Sequence, residues 1–406
     1  GRKDKNWSGC KMCSNAGWLI AGILALLPFH ALLTTWAGSN FGHLDAWRIW
    51  KDILLVLMVP PALWLTWRTP KLKKWLTRSW TTRLFGLYIL LHIILGVWAL
   101  GRHNVNNTAL IYALIINLRF IAFFILCLVV AAYSDFLKQH WRKILLIPAG
   151  IVVLFGLVQK FLLPYDFLRH FGYGSSTIPA YQTVDSDLDY RRLQSTLRGA
   201  NPLGAYLVLV IPALSVGTKK SRVLRMGVVL AGLLVLLFSY SRSAWLGLVA
   251  VATTFRAMAL KTFGTGYRTA LIAIALLILV GGGIYLTNKS EEAQNVLFHT
   301  SDDSASARSS NADRLASLEA GVKDVIHQPL GRGPGTAGPA AFRNDPPPRI
   351  AENYFLQIGQ EIGVVGMAIF ITINLLVAKG LWARRTDQLA KILLASLVGL
   401  TFITLL

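Results

Sequence analysis

Apolar residues in this chain come in blocks of about 20, the length that crosses a bilayer, not at the spacing of a helix with one wet face. The blocks fall near 17–37, 53–67, 84–101, 109–133, 143–163, 203–217, 223–239, 243–257, 269–286, 353–378 and 389–406. They predict an all-α polytopic membrane protein of about 11–12 transmembrane helices, a single domain over 1–406. The last block runs to the final residue, which leaves room for a twelfth span.

The polar breaks orient these blocks. Arg68, Lys71, Lys73, Lys74, Arg78 and Arg83 follow the second block with no acid among them, so the positive-inside rule puts that loop in the cytoplasm. If every block crosses once, four other loops share that side: Lys138/Arg142/Lys143, Lys219/Lys220/Arg222/Arg225, Arg256/Lys261/Arg268 and Lys379/Arg384/Arg385. All are basic. The opposite side receives the long loops 164–202 and 287–352, where most acids gather. Residues 223–257 are nearly all apolar and read either as one long helix or as two. Basic segments on both flanks favour two short arms with Ser239–Ser243 at the outer tip.

Within the long loops, 164–202 reads as irregular chain. Asn311 to His327 reads as a helix of about four turns, with Asn311 as N-cap and Pro329 closing it. The glycines at 331, 333, 335 and 338 and the Pro346-Pro347-Pro348 run read as structureless chain.

Composition agrees with a membrane chain. Of 406 residues, 54% are hydrophobic and only 15% charged, and the mean hydropathy is +0.52; soluble chains carry about a quarter charged residues. The net charge of +22 does not point to nucleic acid, because the cations sit in short loops between spans and not on a soluble basic domain. Arg2-Lys3-Asp4-Lys5 before the first block reads as the cytoplasmic flank of an uncleaved anchor. Three cysteines allow no disulfide framework: Cys10 and Cys13 read as reduced cytoplasmic thiols, Cys127 as packing.

Against this background the candidate chemistry is sparse and, Arg119 and Glu361 apart, lies by charge bias on the outer side. Three arginines, Arg191, Arg192 and Arg198, precede Asn201-Pro202, where the chain re-enters the membrane. They read either as interfacial side chains reaching for headgroups or as a phosphate clamp. Arg242 stands between two apolar arms among hydroxyl residues, at the depth of a lipid diphosphate; an intramembrane cation needs a partner. Arg314 lies on the predicted loop helix. Arg119 falls mid-span and either lines a site or pairs with an acid elsewhere. Glu352-Asn353 opens the 353–378 block, where a carboxylate serves as a helix-start residue or as a general base. Glu361, about 2.5 turns deeper, suits pairing with a buried cation. The 331–338 glycines lack the Gly-Lys-Ser/Thr ending of a nucleotide loop, and Asp185, Asp187 and Asp189 read as a solvated acidic run, with a divalent-metal site as the alternative.

Four pieces in order resemble the O-antigen ligase family of lipid-linked-glycan transferases. They are Arg192 through Asn201-Pro202-Leu-Gly-Ala-Tyr-Leu, Ser241-Arg242-Ser-Ala-Trp-Leu-Gly, Arg314 followed by Pro329-Leu-Gly-Arg-Gly-Pro-Gly, and Glu352-Asn353-Tyr-Phe-Leu-Gln-Ile-Gly-Gln-Glu361-Ile-Gly-Val-Val-Gly366. The resemblance covers roughly residues 185–370. It implies a GT-C-like multi-pass enzyme of the bacterial cytoplasmic (inner) membrane, with a cytoplasmic N-terminus and an active site on the outer, periplasmic face. The implied reaction moves a glycan from undecaprenyl diphosphate to an acceptor hydroxyl on a glycan or lipid, inverting and without cofactor or metal. Arg192 and Arg242, with Arg198, Arg314, Asn201 and Asn353, would hold the diphosphate, and Glu352 would deprotonate the acceptor. The family usually has histidine at that last position; glutamate accepts a proton equally but offers phosphate no cation. The rivals are a polymerase of the same family acting on lipid-linked repeat units and a membrane transporter. A transporter should place its ionisable groups near the midplane, where only Arg119 and Glu361 fall.

Overall fold

The computed structural model describes residues 11–184, 187–217, 222–259, 310–351 and 353–405, without the side chains of 11–15, 187, 189, 217, 259 and 310–313. Cys10, Asp185, Glu352 and the expected span 269–286 lie outside the described residues, as do the side chains of Cys13, Asp187, Asp189 and Asn311.

The described chain is helical with one small hairpin. The first half holds α1 (Lys11–Leu26), α2 (His30–Phe41), α3 (Leu44–Arg48), α4 (Trp50–Arg68), α5 (Pro70–Arg78), α6 (Trp80–Gly101), α7 (Asn107–Tyr133) and α8 (Phe136–Phe161). Strands β1 (Gln182–Val184) and β2 (Asp187–Arg192) follow, then α9 (Ala200–Gly217), α10 (Arg222–Phe238) and α11 (Arg242–Ala259). The chain continues with α12 (Ser310–His327), α13 (Gly338–Ala341), α14 (Tyr354–Ala383) and α15 (Gln388–Leu405). Among the described residues, seven helical segments are long and apolar enough to cross a membrane: Ala16–Phe41, Trp50–Arg68, Trp80–Gly101, Asn107–Tyr133, Phe136–Phe161, Tyr354–Ala383 and Gln388–Leu405. The protein is an all-α polytopic membrane protein. The expected spans at 203–217, 223–239 and 243–257 are also helices, but short ones, and 223–257 breaks into two at Ser239–Ser241.

Packing is tightest where glycines let backbones meet. A Cβ on Gly247 of α11 would stand 3.1 Å from the Gly399 carbonyl of α15, and one on Gly399 would stand 2.6 Å from Val251. Around this crossing, Val152, Leu203, Leu207, Val208, Val235, Leu236, Ala244 and Leu394 form the largest apolar cluster. A second cluster joins α1, α4 and α7 and includes Cys127, which therefore packs. A third joins α6, α7 and α14 through Tyr88, Ile121, Ile358 and Ile362. Large apolar side chains such as Val97 and Leu154 remain mostly exposed, as lipid-facing positions should be.

The polar segments sort to two ends of the bundle. At one end Thr69 bonds Tyr133, and Arg142 donates to Gln388 at 2.8 Å. Cations there lie over tryptophan rings: Arg68 on Trp64, Lys73 on Trp67, Arg83 on Trp80, Arg142 on Trp141 and Arg385 on Trp382. That pairing of charge with an amphipathic ring suits a lipid–water boundary. At the other end Ser39 meets Gly172 at 3.3 Å, Thr196 donates to Pro28 O at 3.0 Å, and Arg343 reaches Asp45 at 3.9 Å. These contacts collect α3 and segments 162–199 and 328–349 on one end, opposite the basic loops.

Two expectations about those loops are corrected. Segment 164–202 is not irregular throughout: β1 and β2 pair antiparallel, with Gln182 opposite Arg192 and Thr183 opposite Arg191. Nor are the glycines of 331–338 structureless. Gly331, Gly333, Gly335 and Gly338 all have φ between +64° and +105°, a region that Cβ-bearing residues avoid. A Cβ on Gly333 would fall 2.3 Å from the Ala99 Cβ, and one on Gly335 would fall 3.0 Å from the Ala109 backbone. Composition suggests structureless chain; the glycines are there for close approach to α6 and α7.

Candidate functional site

The hairpin β1–β2 hands the chain to α9 through side-chain caps. Gln182 Oε1 accepts the Ala200 N–H at 2.9 Å, satisfying one free donor at the helix start. Pro202 follows within the first turn, where a missing N–H costs nothing. Gln194, fully buried, ties back to Ala180 O at 2.9 Å, and the Ser195 N–H donates to Gln159 Oε1 on α8 at 2.9 Å. The strand end itself is fastened to α10: the Leu193 N–H donates to Phe238 O at 2.9 Å.

This fastening sets Arg192 across the α10–α11 turn. Its Nε donates to Ser239 O at 3.2 Å, and one Nη to Asn201 Oδ1 at 2.6 Å and to Tyr240 O at 3.4 Å. The guanidinium thus closes the carbonyl end of α10, where a cation is favoured by the free carbonyls. Trp245 staples the same turn by donating to Leu236 O at 3.2 Å. Gly204 of α9 lies directly beneath; a Cβ there would stand 2.6 Å from Ala244 and 2.9 Å from Ser241. Arg242, the first residue of α11, is half-buried beside Arg192. Burial first, and the nearby Arg242 charge second, hold Arg192 below the ordinary arginine pKa. Two cations and a helix N-terminus meeting at one point make a strongly anion-seeking place.

A cavity of about 200 Å³ adjoins Arg192, lined by Gln159, Lys160, Leu163, Tyr165, Tyr181, Arg191, Arg192 and Leu193. Arg191 stacks 4.9 Å over the Tyr165 ring and Lys160 lies 4.8 Å over Phe238. Among the described residues no carboxylate forms an ion pair with Lys160, Arg191 or Arg192. Lys160 was missed from sequence because it reads as the end of a span. The signal was present, since a lysine there stands on the side that charge bias depletes.

The other expected site residues are distributed as follows. Arg198 is exposed in the turn before α9, and Asn201 supplies its oxygen to Arg192. Asn353 caps α14, its Oδ1 accepting from Phe355 N at 2.9 Å and Leu356 N at 3.1 Å, so only its amide protons remain for a ligand. Arg314 sits half-buried on α12, whose Gly321 and Val325 pack against Ala351, Leu356 and Gly359 at the start of α14.

Glu361 departs from expectation. It is buried to 1% exposure, but among the described residues it pairs with no cation. Its Oε1 accepts the Gly335 N–H at 2.9 Å and its Oε2 the Asn117 amide at 2.6 Å. Just beyond it α14 is kinked at Ile362 and Gly363. There the glycine loop runs alongside, with Arg332 N–Gln360 O at 2.9 Å, Gly333 N–Glu361 O at 2.8 Å and Val364 N–Pro329 O at 2.9 Å. The physical reason is geometric. A kinked helix exposes carbonyls, a glycine loop can approach them, and a carboxylate collects the leftover N–H donors. Arg119 takes the other option open to it, pairing with Asp52 at 3.7 Å.

Neither the curated proteins nor the solved structures include a match to this chain. Residues 227–371, the stretch running from α10 through the kink of α14, match the family described as O-antigen ligase. That stretch, about a third of the chain, is what is similar to the O-antigen ligase family.

Proposed function

We propose that this protein transfers a glycan from undecaprenyl diphosphate to an acceptor hydroxyl at the outer face of the bacterial cytoplasmic membrane, inverting at the sugar and using no metal. The observation that carries this reading is the meeting of Arg192, Arg242 and the N-terminus of α11 beside a cation-lined cavity. The acceptor oxygen attacks the anomeric carbon as the bond to the phosphate oxygen breaks, and the electron pair leaves with the diphosphate. Arg192 and Arg242 stabilise that developing charge, with Lys160 and Arg191 extending the anion surface. Arg198, Arg314, Asn201 and Asn353 complete the donor contacts. Glu352 takes the acceptor proton. The leaving diphosphate supplies the driving force, so no nucleotide takes part.

The test is incubation of the purified protein with an undecaprenyl-diphosphate glycan and candidate acceptors, in excess chelator. Release of undecaprenyl diphosphate with one glycan joined per acceptor is the expected result. A ladder of products would assign a polymerase. Abolition by chelator with rescue by a divalent ion would overturn the arginine mechanism.

A further inference from the structure

A second group of cations lies between α12, the glycine loop and α14, away from the α10–α11 turn in sequence. Asp324 on α12 binds Arg349 at 3.2 Å and accepts from Gln360 Nε2 at 2.8 Å. Gln328 Oε1 draws in both arginines, accepting from Arg332 Nε at 2.5 Å and from Arg349 Nη1 at 3.5 Å. The backbone holds both in place. The Arg332 N–H donates to Gln360 O at 2.9 Å and the Arg349 carbonyl accepts from Gly338 at 2.8 Å.

The charges do not balance. The cluster holds two guanidiniums and one carboxylate, which pairs with Arg349 alone, leaving it at about +1, and the two arginines sit close enough that burial and the Arg332 charge together depress the Arg349 pKa. Several donors are also unspent. Both terminal amino groups of Arg332 and the second one of Arg349 meet no acceptor among the described residues. Gln360, 4% exposed, has an oxygen that no described donor reaches. The Arg349 side chain keeps 21% of its surface open, so the cluster is accessible. Unspent guanidinium donors beside an unspent buried acceptor match a group that is anionic on one side and carries a hydroxyl on the other.

We propose that Arg332, Arg349 and Gln360 form a second anion site that takes a phosphate or carboxylate on a sugar. On the glycan-transfer reading, that sugar belongs to the acceptor. The arginine fork receives the anionic oxygens and Gln360 accepts from the adjacent hydroxyl.

The test needs neither donor nor acceptor, so it stands or falls apart from the transfer reaction. The full protein in lipid nanodiscs is modified with phenylglyoxal, and each arginine's rate is read by mass spectrometry. Inorganic phosphate should slow modification at Arg332 and Arg349 several-fold relative to chloride at equal ionic strength, and glucuronate should do the same where N-acetylglucosamine does not. Arg332→Gln should abolish protection at Arg349 while leaving protection at Arg192 intact, and Arg332→Lys should retain part of it. Equal rates in phosphate and chloride would overturn the site. So would undiminished protection of Arg349 in Arg332→Gln. Protection by phosphate alone would restrict the ligand to sugar phosphates.

Discussion

The Glu361–Asn117 pair allows a sharp test because its two partners differ only in which of them accepts. Glu361 offers two acceptor oxygens, one to the Gly335 N–H and one to the Asn117 amide at 2.6 Å. Asn117→Asp replaces that donor with a second carboxylate at the same distance, in a site where both residues are at most 3% exposed. An uncompensated buried charge of this kind costs about 3–5 kcal/mol. Glu361→Leu strands three buried donors instead, the Gly335 and Ala337 N–H groups and the Asn117 amide, at about 1–3 kcal/mol each. Glu361→Gln should be far milder: the Asn117 carboxamide can turn its oxygen toward the new amide while the other oxygen keeps Gly335. The informative variant is the exchange, Asn117→Asp with Glu361→Gln. It restores one acceptor facing one donor and should recover most of what Asn117→Asp loses. The assay is thermal unfolding in nanodiscs, followed by tryptophan fluorescence, with the order wild type, exchange and Glu361→Gln close together, and Glu361→Leu and Asn117→Asp well below. If the exchange is no more stable than Asn117→Asp alone, the hydrogen bond does not hold the loop and the reasoning fails.

Gly333→Ala should sharply lower both stability and activity, since its Cβ would overlap Ala99 at φ +105°. Gly174→Ala, with open space around it, serves as the control, and equal unfolding temperatures for the two would show that the loop yields freely. Arg242→Lys should insert and fold normally but lose most transfer, because lysine keeps the charge without the two-pronged contact to phosphate oxygens; near-normal turnover would reduce Arg242 to an interfacial anchor. Glu352→Gln should cut turnover by roughly 10²–10⁴-fold, the usual worth of a general base, with donor binding retained and Glu352→His less impaired. A wild-type rate in Glu352→Gln would send the search for the base elsewhere.

How much of this was legible from sequence follows from what each feature costs to encode. A crossing must be written as a long apolar block, and the break at Ser239–Ser241 as a polar one, so both could be read. The arginines could be read as well, since a cation beside apolar helices is rare. What could not be read was partnership. Asn117 and Glu361 lie 244 residues apart, and nothing near either names the other. Glycine-rich chain has the same composition whether it is slack or pressed against two helices, which is why the 331–338 loop was misjudged. Lys160 was hidden for a related reason: its aliphatic stem belongs to the α8 span while its charge belongs to the cavity.

The pairing of Glu361 with Asn117 also fixes an order of events during biosynthesis. Everything that shapes the glycine loop from below, α6 and α7, is inserted long before the loop is translated, yet the residue that fastens it comes after it in the chain. A nascent protein that has reached residue 350 therefore has its α10–α11 turn but no fastener for the loop above α6 and α7. The loop settles only when α14 enters the membrane and delivers its buried carboxylate. Insertion of α14 is in that sense the step that sets the loop, and a fault in its delivery would leave α6 and α7 in place with the loop above them unfastened.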